Sequence, residues 1–283
     1  MAELLPTLEK LSMLVFLVAS SSAAGLGLTP AAIVGPLRNT RLLVLTLALN
    51  FVAAPLLAWL LTKMLPLAPG HALGLVLLGG AAGAPFLPKL AASAGSSVAT
   101  AVALMILLVA VALLFMPFAL PLMIPGFQAG AWAIARPLVF FMLIPLLVGM
   151  FIKCRTRLPA ESLARVMGRI GSACLLLLFL LLLVLHFHEL CGVVGSGAIF
   201  AMTLYLLGLF VVAWLLGGSV PGERGNLALA TSARNFGAAM VCAAESFRDP
   251  DVVTMLVVGA VVCLVICFSG AGWLRRKMAS TSG

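Results

Sequence analysis

Nine apolar runs, each near the roughly 20 residues needed to cross a hydrocarbon core, follow one another along this 283-residue chain with short gaps between them. They lie at about Leu11 to Leu28, Leu42 to Met64, Ala72 to Ala92, Val98 to Leu122, Pro137 to Ile152, Ile170 to Leu190, Ala198 to Leu216, Leu227 to Ala244 and Val252 to Leu274. With 64% of residues hydrophobic and 9% charged, no soluble domain could cover this much apolar surface. In lipid, backbone polar groups must be satisfied within the chain, which leaves helices as the solution for runs of this length. The expected fold class is therefore an all-α membrane protein of about nine transmembrane helices. The residues around Glu3, Glu9 and Lys10 give no basic leader before a short apolar core, so the first run is expected to remain as a span.

Seventeen Lys and Arg outnumber eight Asp and Glu, but the basic residues sit in the gaps, where they set orientation and do not suggest nucleic acid as a partner. One set of alternate gaps holds Arg38, Arg41, Lys153, Arg155, Arg157, Arg165, Arg169, Arg224, Arg275, Arg276 and Lys277. The other holds Lys10, Lys63, Arg136 and Arg248. This bias places the N-terminus outside and the C-terminus in the cytoplasm. The six cysteines form no CxxC pair and read as small apolar residues, so neither a metal nor a cofactor is expected. His186 and His188, beside Glu189, read as a polar helix end at the interface. Glu245, Arg248, Asp249 and Asp251 read as a solvated charge cluster, and Trp59, Trp132 and Trp273 as interface anchors. With no HExxH, paired intramembrane carboxylates or Gly-x-Ser-x-Gly, an enzyme is not expected. A channel or sensor lacks the ring of charges or the soluble output domain it would need.

Two runs differ from the rest. The third contains Gly79, Gly80, Gly83, Pro85 and Pro88, then Lys89. Proline mid-span removes a backbone donor and clashes with the preceding turn, so this helix is expected to break near Pro85. An interrupted helix cannot face lipid and must be buried or line a cavity. The eighth concentrates Thr231, Ser232, Arg234, Asn235 and Gly237 at its midpoint. A cation at bilayer depth costs at least roughly 2.5–3.5 kcal/mol, so Lys89 and Arg234 are expected to face a partner, a cavity or an anionic substrate. Interrupted spans at corresponding places in two halves are the pattern of an inverted-repeat secondary transporter.

These segments resemble the bile acid:sodium symporters. The likeness runs without gaps from Ala72 to about Val102, with Gly-Ala-Ala-Gly-Ala-Pro standing where that family has a Pro-Gly-Gly break. It extends to Gly25-Leu-Gly-Leu-Thr, to Asn50-Phe-Val-Ala-Ala-Pro and to Thr231-Ser-Ala-Arg-Asn in the second broken helix. The resemblance implies two inverted repeats with two broken, crossing helices at 72–92 and 227–244. It also implies a panel domain (residues 1–38 and 136–192) against which a core domain (39–135 and 193–283) rocks. The cargo would be an organic anion, from small carboxylates to bile-acid-like amphiphiles, and the setting a bacterial inner membrane.

The departures bear on coupling. Sodium-coupled relatives carry Ser-Asn after the first break, where this chain has Leu87-Pro88. Their sodium-binding glutamate in the second broken helix is Ala230 here, the glutamine of the amide pair is Arg234, and Ala101 to Val109 offers no hydroxyl. A hard cation wants several oxygen ligands. Lys89 and Arg234 are thus expected to take the electrostatic role of bound sodium, with Arg234 able to hold a carboxylate bidentately. The expected substrate-binding set is Arg234, Asn235, Lys89, Asn50, Thr231, Ser232, Pro85 and Pro88. Coupling to sodium, to protons or to neither stays open at this point.

Overall fold

The computed structural model describes residues 4–27, 31, 34, 35, 38–124, 130–155, 159–247 and 249–281. Leu28 and Thr29 of the first motif, Arg157 and Arg248 lie outside them, as does the side chain of Glu245. The described residues are helical with no strands. Six helices are long and apolar enough to cross a membrane: α1 (Leu4–Gly27), α2 (Thr40–Met64), α5 (Val98–Met123), α7 (Ala160–Leu185), α9 (Ala198–Leu216) and α12 (Pro250–Thr281, apolar over Pro250–Ser280). Between them lie the shorter α3 (Pro69–Gly80), α4 (Leu87–Ala94), α6 (131–155), α8 (Phe187–Gly192), α10 (Pro221–Ser232) and α11 (Phe236–Ser246).

Several bounds differ from the hydropathy reading. The helix expected from Leu227 begins at Pro221, because Glu223, Arg224 and Asn226 lower local hydropathy without opposing a helix. Proline suits that first turn, where its missing N–H would be unpaired in any case. The sixth run starts at Ala160, a charged extension that hydropathy also cut away, and it ends at Leu185, not Leu190.

Two of the helices carry a π turn, and each turn precedes a proline. In α2 it spans Leu49–Ala53 before Pro55, and in α6 Val139–Leu143 before Pro145. Proline lacks the N–H that would close the preceding α turn, and the wider turn re-satisfies the ladder. Both turns present a side chain to the centre of the molecule, Asn50 from α2 and Met142 from α6.

The core surrounds the short helices. Leu75, Leu77 and Leu78 of α3, Leu87 and Leu90 of α4, and Leu227 and Leu229 of α10 are all fully buried. The opposite pattern marks the periphery, where Leu176, Leu180 and Val184 of α7 are exposed on the face that acyl chains would cover. α1 packs against α6 and α7. Its approach to α6 rests on paired glycines. A Cβ at Gly25 would collide with Leu146 O, and one at Gly149 would lie 2.7 Å from Ser22 O.

α1 is also tied to the far end of α7. His186, just beyond that helix, has Nδ1 2.7 Å from Glu189 Oε2 and Nε2 3.6 Å from Glu9 Oε2. The contact with Glu9, foremost, and Glu189 raise its pKa to about 9 against the opposing effect of burial. A raised folded-state value means that the stabilisation is full below about 6.5 and is lost as pH rises through about 9. The thermal midpoint of the wild type should therefore fall between those pH values, and His186→Gln should flatten that part of the profile. Parallel profiles would remove the pair as a contributor.

Candidate functional site

The first break is set by α3 stopping at Gly80 and α4 starting at Leu87. Gly83 has φ +86°, and a Cβ there would meet Val109 N at 2.9 Å, so the linker is pressed against α5 in a conformation only glycine takes readily. Pro85 lies in this linker. Pro88 does not break a helix: it sits in the first turn of α4, where its missing N–H leaves no ladder bond unmade. The second break, at 233–235, contains no proline. It forms because Asn235 leaves the helical path and caps the next segment, its Oδ1 accepting from Ala238 N at 3.1 Å.

The two breaks meet. Asn235 N donates to Ala81 O at 2.9 Å, and Asn235 Nδ2 donates to Gly83 O at 3.3 Å and approaches Met142 Sδ at 3.4 Å. Arg234 is 0% exposed and carries no ion pair among the described residues. Its guanidinium is held by oxygens alone: Nε donates to Leu78 O (3.1 Å), Nη2 to Gly79 O (2.7 Å), and Nη1 to Asn50 Oδ1 (2.9 Å) and Thr231 O (3.5 Å). Leu78 and Gly79 lie in the last turn of α3, so their carbonyls carry the negative pole of that helix; Leu78 O accepts from Ala81 N as well, and each keeps a lone pair for the guanidinium. A buried guanidinium without a carboxylate is tolerable here because these acceptors replace its water. Asn50 is oriented in turn, its Nδ2 donating to Thr46 O at 2.9 Å and lying 3.5 Å from Thr231 Oγ1.

Of the residues expected from sequence, Arg234, Asn235, Asn50 and Thr231 thus converge on one point, with Pro85 in the adjoining linker. Ser232 turns away, its Oγ 3.5 Å from Cys267 Sγ on α12. Four of the five guanidinium N–H groups are engaged, which leaves one where a bidentate carboxylate needs two. A cavity of about 80 Å³ lies beside the crossover, lined by Phe16, Pro85, Arg234, Phe236, Met240 and Glu9 among others.

Lys89 and Pro88 lie apart from this hub. Half-buried Lys89 reaches from α4 to α7, where Nζ donates to Ser172 Oγ at 3.0 Å and lies 3.5 Å from Gly168 O, with the Phe16 ring centroid 5.5 Å away. Two larger cavities, of about 520 and 310 Å³, meet at Lys89 and Ser172. Sequence reasoning missed the carbonyls of Leu78 and Gly79, which carry no sequence signal. It also missed Ser172, which looks like an ordinary small residue of an apolar helix.

The family model described as the Sodium Bile acid symporter family matches residues 12–195, more than half of the chain. No curated protein matches it.

Proposed function

Because this chain belongs to the sodium bile acid symporter family, we propose that it is an integral membrane secondary transporter of an organic anion, working by alternating access without classical sodium coupling. The observation that carries this reading is the Arg234 guanidinium seated on Leu78 O, Gly79 O, Asn50 Oδ1 and Thr231 O. Sodium seeks a set of oxygens of this kind. Here a permanently charged side chain holds them, and the positions where relatives supply further sodium ligands are Ala230 and the stretch from Ala101 to Val109, none of whose side chains carries an oxygen. The fixed positive charge then favours an anion near the crossover without an ion having to bind first.

In this reading α3 with α4, and α10 with α11, are broken spans, and 131–155 is one further span, completing nine crossings in two inverted repeats. Residues 1–38 and 136–192 form the panel, and 39–135 with 193–283 the core that moves against it. The distribution of Lys and Arg supports an external N-terminus and a cytoplasmic C-terminus, in a bacterial inner membrane. Lys89, at the contact between α4 and α7, is the cation placed to meet substrate. Arg234 with Asn235, Asn50 and Thr231 holds the two broken helices in register.

Uptake into proteoliposomes of a panel of carboxylates and sulfonates, with sodium and then with choline as the bulk cation, tests this. The expected result is at least one transported anion with equal initial rates in both media. Uptake that requires an inward sodium gradient would overturn the coupling claim and favour a symporter with atypical ion ligands. No transport of any anion would overturn the function itself.

A further inference from the structure

The C-terminal ends of α9 and α12 carry a group of rings and cations that the crossover does not use. The Trp214 ring of α9 and the Trp273 ring of α12 meet edge-on, 5.0 Å between centroids. Arg224 of α10 lies over the Trp214 ring at 4.0 Å, and Lys277 of α12 lies over both rings, at 5.2 and 5.0 Å. Arg224 is also tied through Nε to Trp214 O. Stacking and this bond fix the guanidinium, while Nη1 and Nη2 make no hydrogen bond among the described residues. An arginine held in this way presents a preset fork to the oxygens of a phosphate. Arg275, Arg276 and Lys277 are all exposed, and α12 has no acid after Asp251. Glu223, the acid next to Arg224, faces a different cavity and accepts from Asn39 Nδ2 at 2.9 Å.

From these groups a groove of about 430 Å³ runs back between the two helices, walled by Leu207, Phe210 and Val211 of α9 and by Val265, Ile266 and Trp273 of α12. Gly270 lets the Phe210 ring lie against α12, since a Cβ there would meet that ring at 2.9 Å. Leu207, Val211 and Val265 are exposed, so the groove opens on the surface that acyl chains cover. From Leu207 to Trp214 it follows α9 for two turns, roughly 10 Å. Its character changes in one direction: an apolar length, then two indoles, then cations. That is the order of tail, interface and head group in a phospholipid. We propose that this groove seats one anionic phospholipid, its phosphate at Arg224 and Lys277 and an acyl chain between α9 and α12. Charge complementarity sets the class, because a zwitterionic lipid would bring its own ammonium against Arg276 and Lys277. A free phosphate would satisfy the cations but leave the apolar length open. The seat needs only the membrane setting, and it stands apart from the transport reading above.

Native mass spectrometry of the delipidated full chain in detergent, titrated with phosphatidylglycerol or with phosphatidylcholine of the same chains, tests this. One phosphatidylglycerol is expected to bind at least about tenfold more tightly than phosphatidylcholine. Excess inorganic phosphate should not displace it. Lys277→Gln should weaken the anionic lipid by about tenfold and leave phosphatidylcholine unchanged. Arg169→Gln, the same charge change at an exposed residue of α7, should leave both lipids unchanged. Val211→Trp, which fills the groove from an exposed position, should weaken the anionic lipid with little change in thermal midpoint. Equal affinity for the two lipids, or equal losses in Lys277→Gln and Arg169→Gln, overturns the seat by leaving only a general lipid coat or net charge. Displacement by inorganic phosphate overturns it in favour of a small-anion site. Anionic-lipid binding unchanged in both Lys277→Gln and Val211→Trp overturns it as well.

Discussion

Replacing Arg234 with methionine is expected to lower the thermal midpoint by on the order of 10 °C and to abolish uptake. Methionine fills a similar volume but offers no donor to the Leu78 and Gly79 carbonyls or to Asn50 Oδ1, all of which the guanidinium now satisfies. Each buried acceptor left without a partner costs about 1–3 kcal/mol, and two, Gly79 O and Asn50 Oδ1, would be orphaned within one small region, while Leu78 O would keep only its bond from Ala81 N. The loss is also local to the two breaks, which are joined besides by Asn235 bonds to Ala81 and Gly83. Arg234→Lys should recover only part of the loss, because an ammonium cannot reproduce the planar fork that reaches both carbonyls and the amide. Thermal unfolding followed by intrinsic fluorescence, together with uptake, measures both effects. A methionine variant as stable and as active as the wild type would mean that the buried guanidinium is incidental.

Gly25→Ala should destabilise the protein by more than about 2 kcal/mol, or prevent its accumulation in the membrane. The added methyl would collide with Leu146 O and lie 3.0 Å from Met150 N, both backbone atoms of α6 that no rotamer change can move. α1 and α6 would have to separate by about 1 Å, opening the interface along their length. Gly27→Ala is the matched control, since nothing lies within 4 Å of a Cβ there. It should be neutral or slightly stabilising, given the higher helix propensity of alanine. Equal behaviour of the two variants in detergent-solubilised expression and thermal unfolding would contradict this close approach of α1 to α6.

The helices were legible in the sequence wherever apolar length alone defines them. The first break was legible too, because Gly79, Gly80, Gly83 and Pro85 are poor helix formers in a place where lipid would demand a helix. The second was less so: polar residues flagged Thr231 to Asn235, but the chain leaves the helix there through an asparagine cap that has no proline to announce it. What Arg234 does could not be read at all, since its partners are chiefly main-chain carbonyls at the end of another helix. Asn50 was singled out as an amide in an apolar run, yet its aim depends on a π turn that Pro55 induces several residues later. The pairing of His186 with Glu9 joins residues far apart in the chain and follows only from the packing of α1 on α7. Lys89 was expected beside Arg234; the structure instead sets it in the first turn of α4, bridging to Ser172 Oγ and Gly168 O of α7 and not to the crossover carbonyls.

Equilibrium binding of radiolabelled sodium to the purified protein tests the central claim, that a tethered guanidinium holds the oxygens a coupling ion would need. The wild type should show no saturable sodium binding. The double variant Ala230→Glu, Arg234→Gln, which restores a carboxylate and removes the fixed cation, should acquire it. Saturable binding of sodium by the wild type would contradict the account, because it would place an ion alongside Arg234 or at ligands elsewhere in the chain.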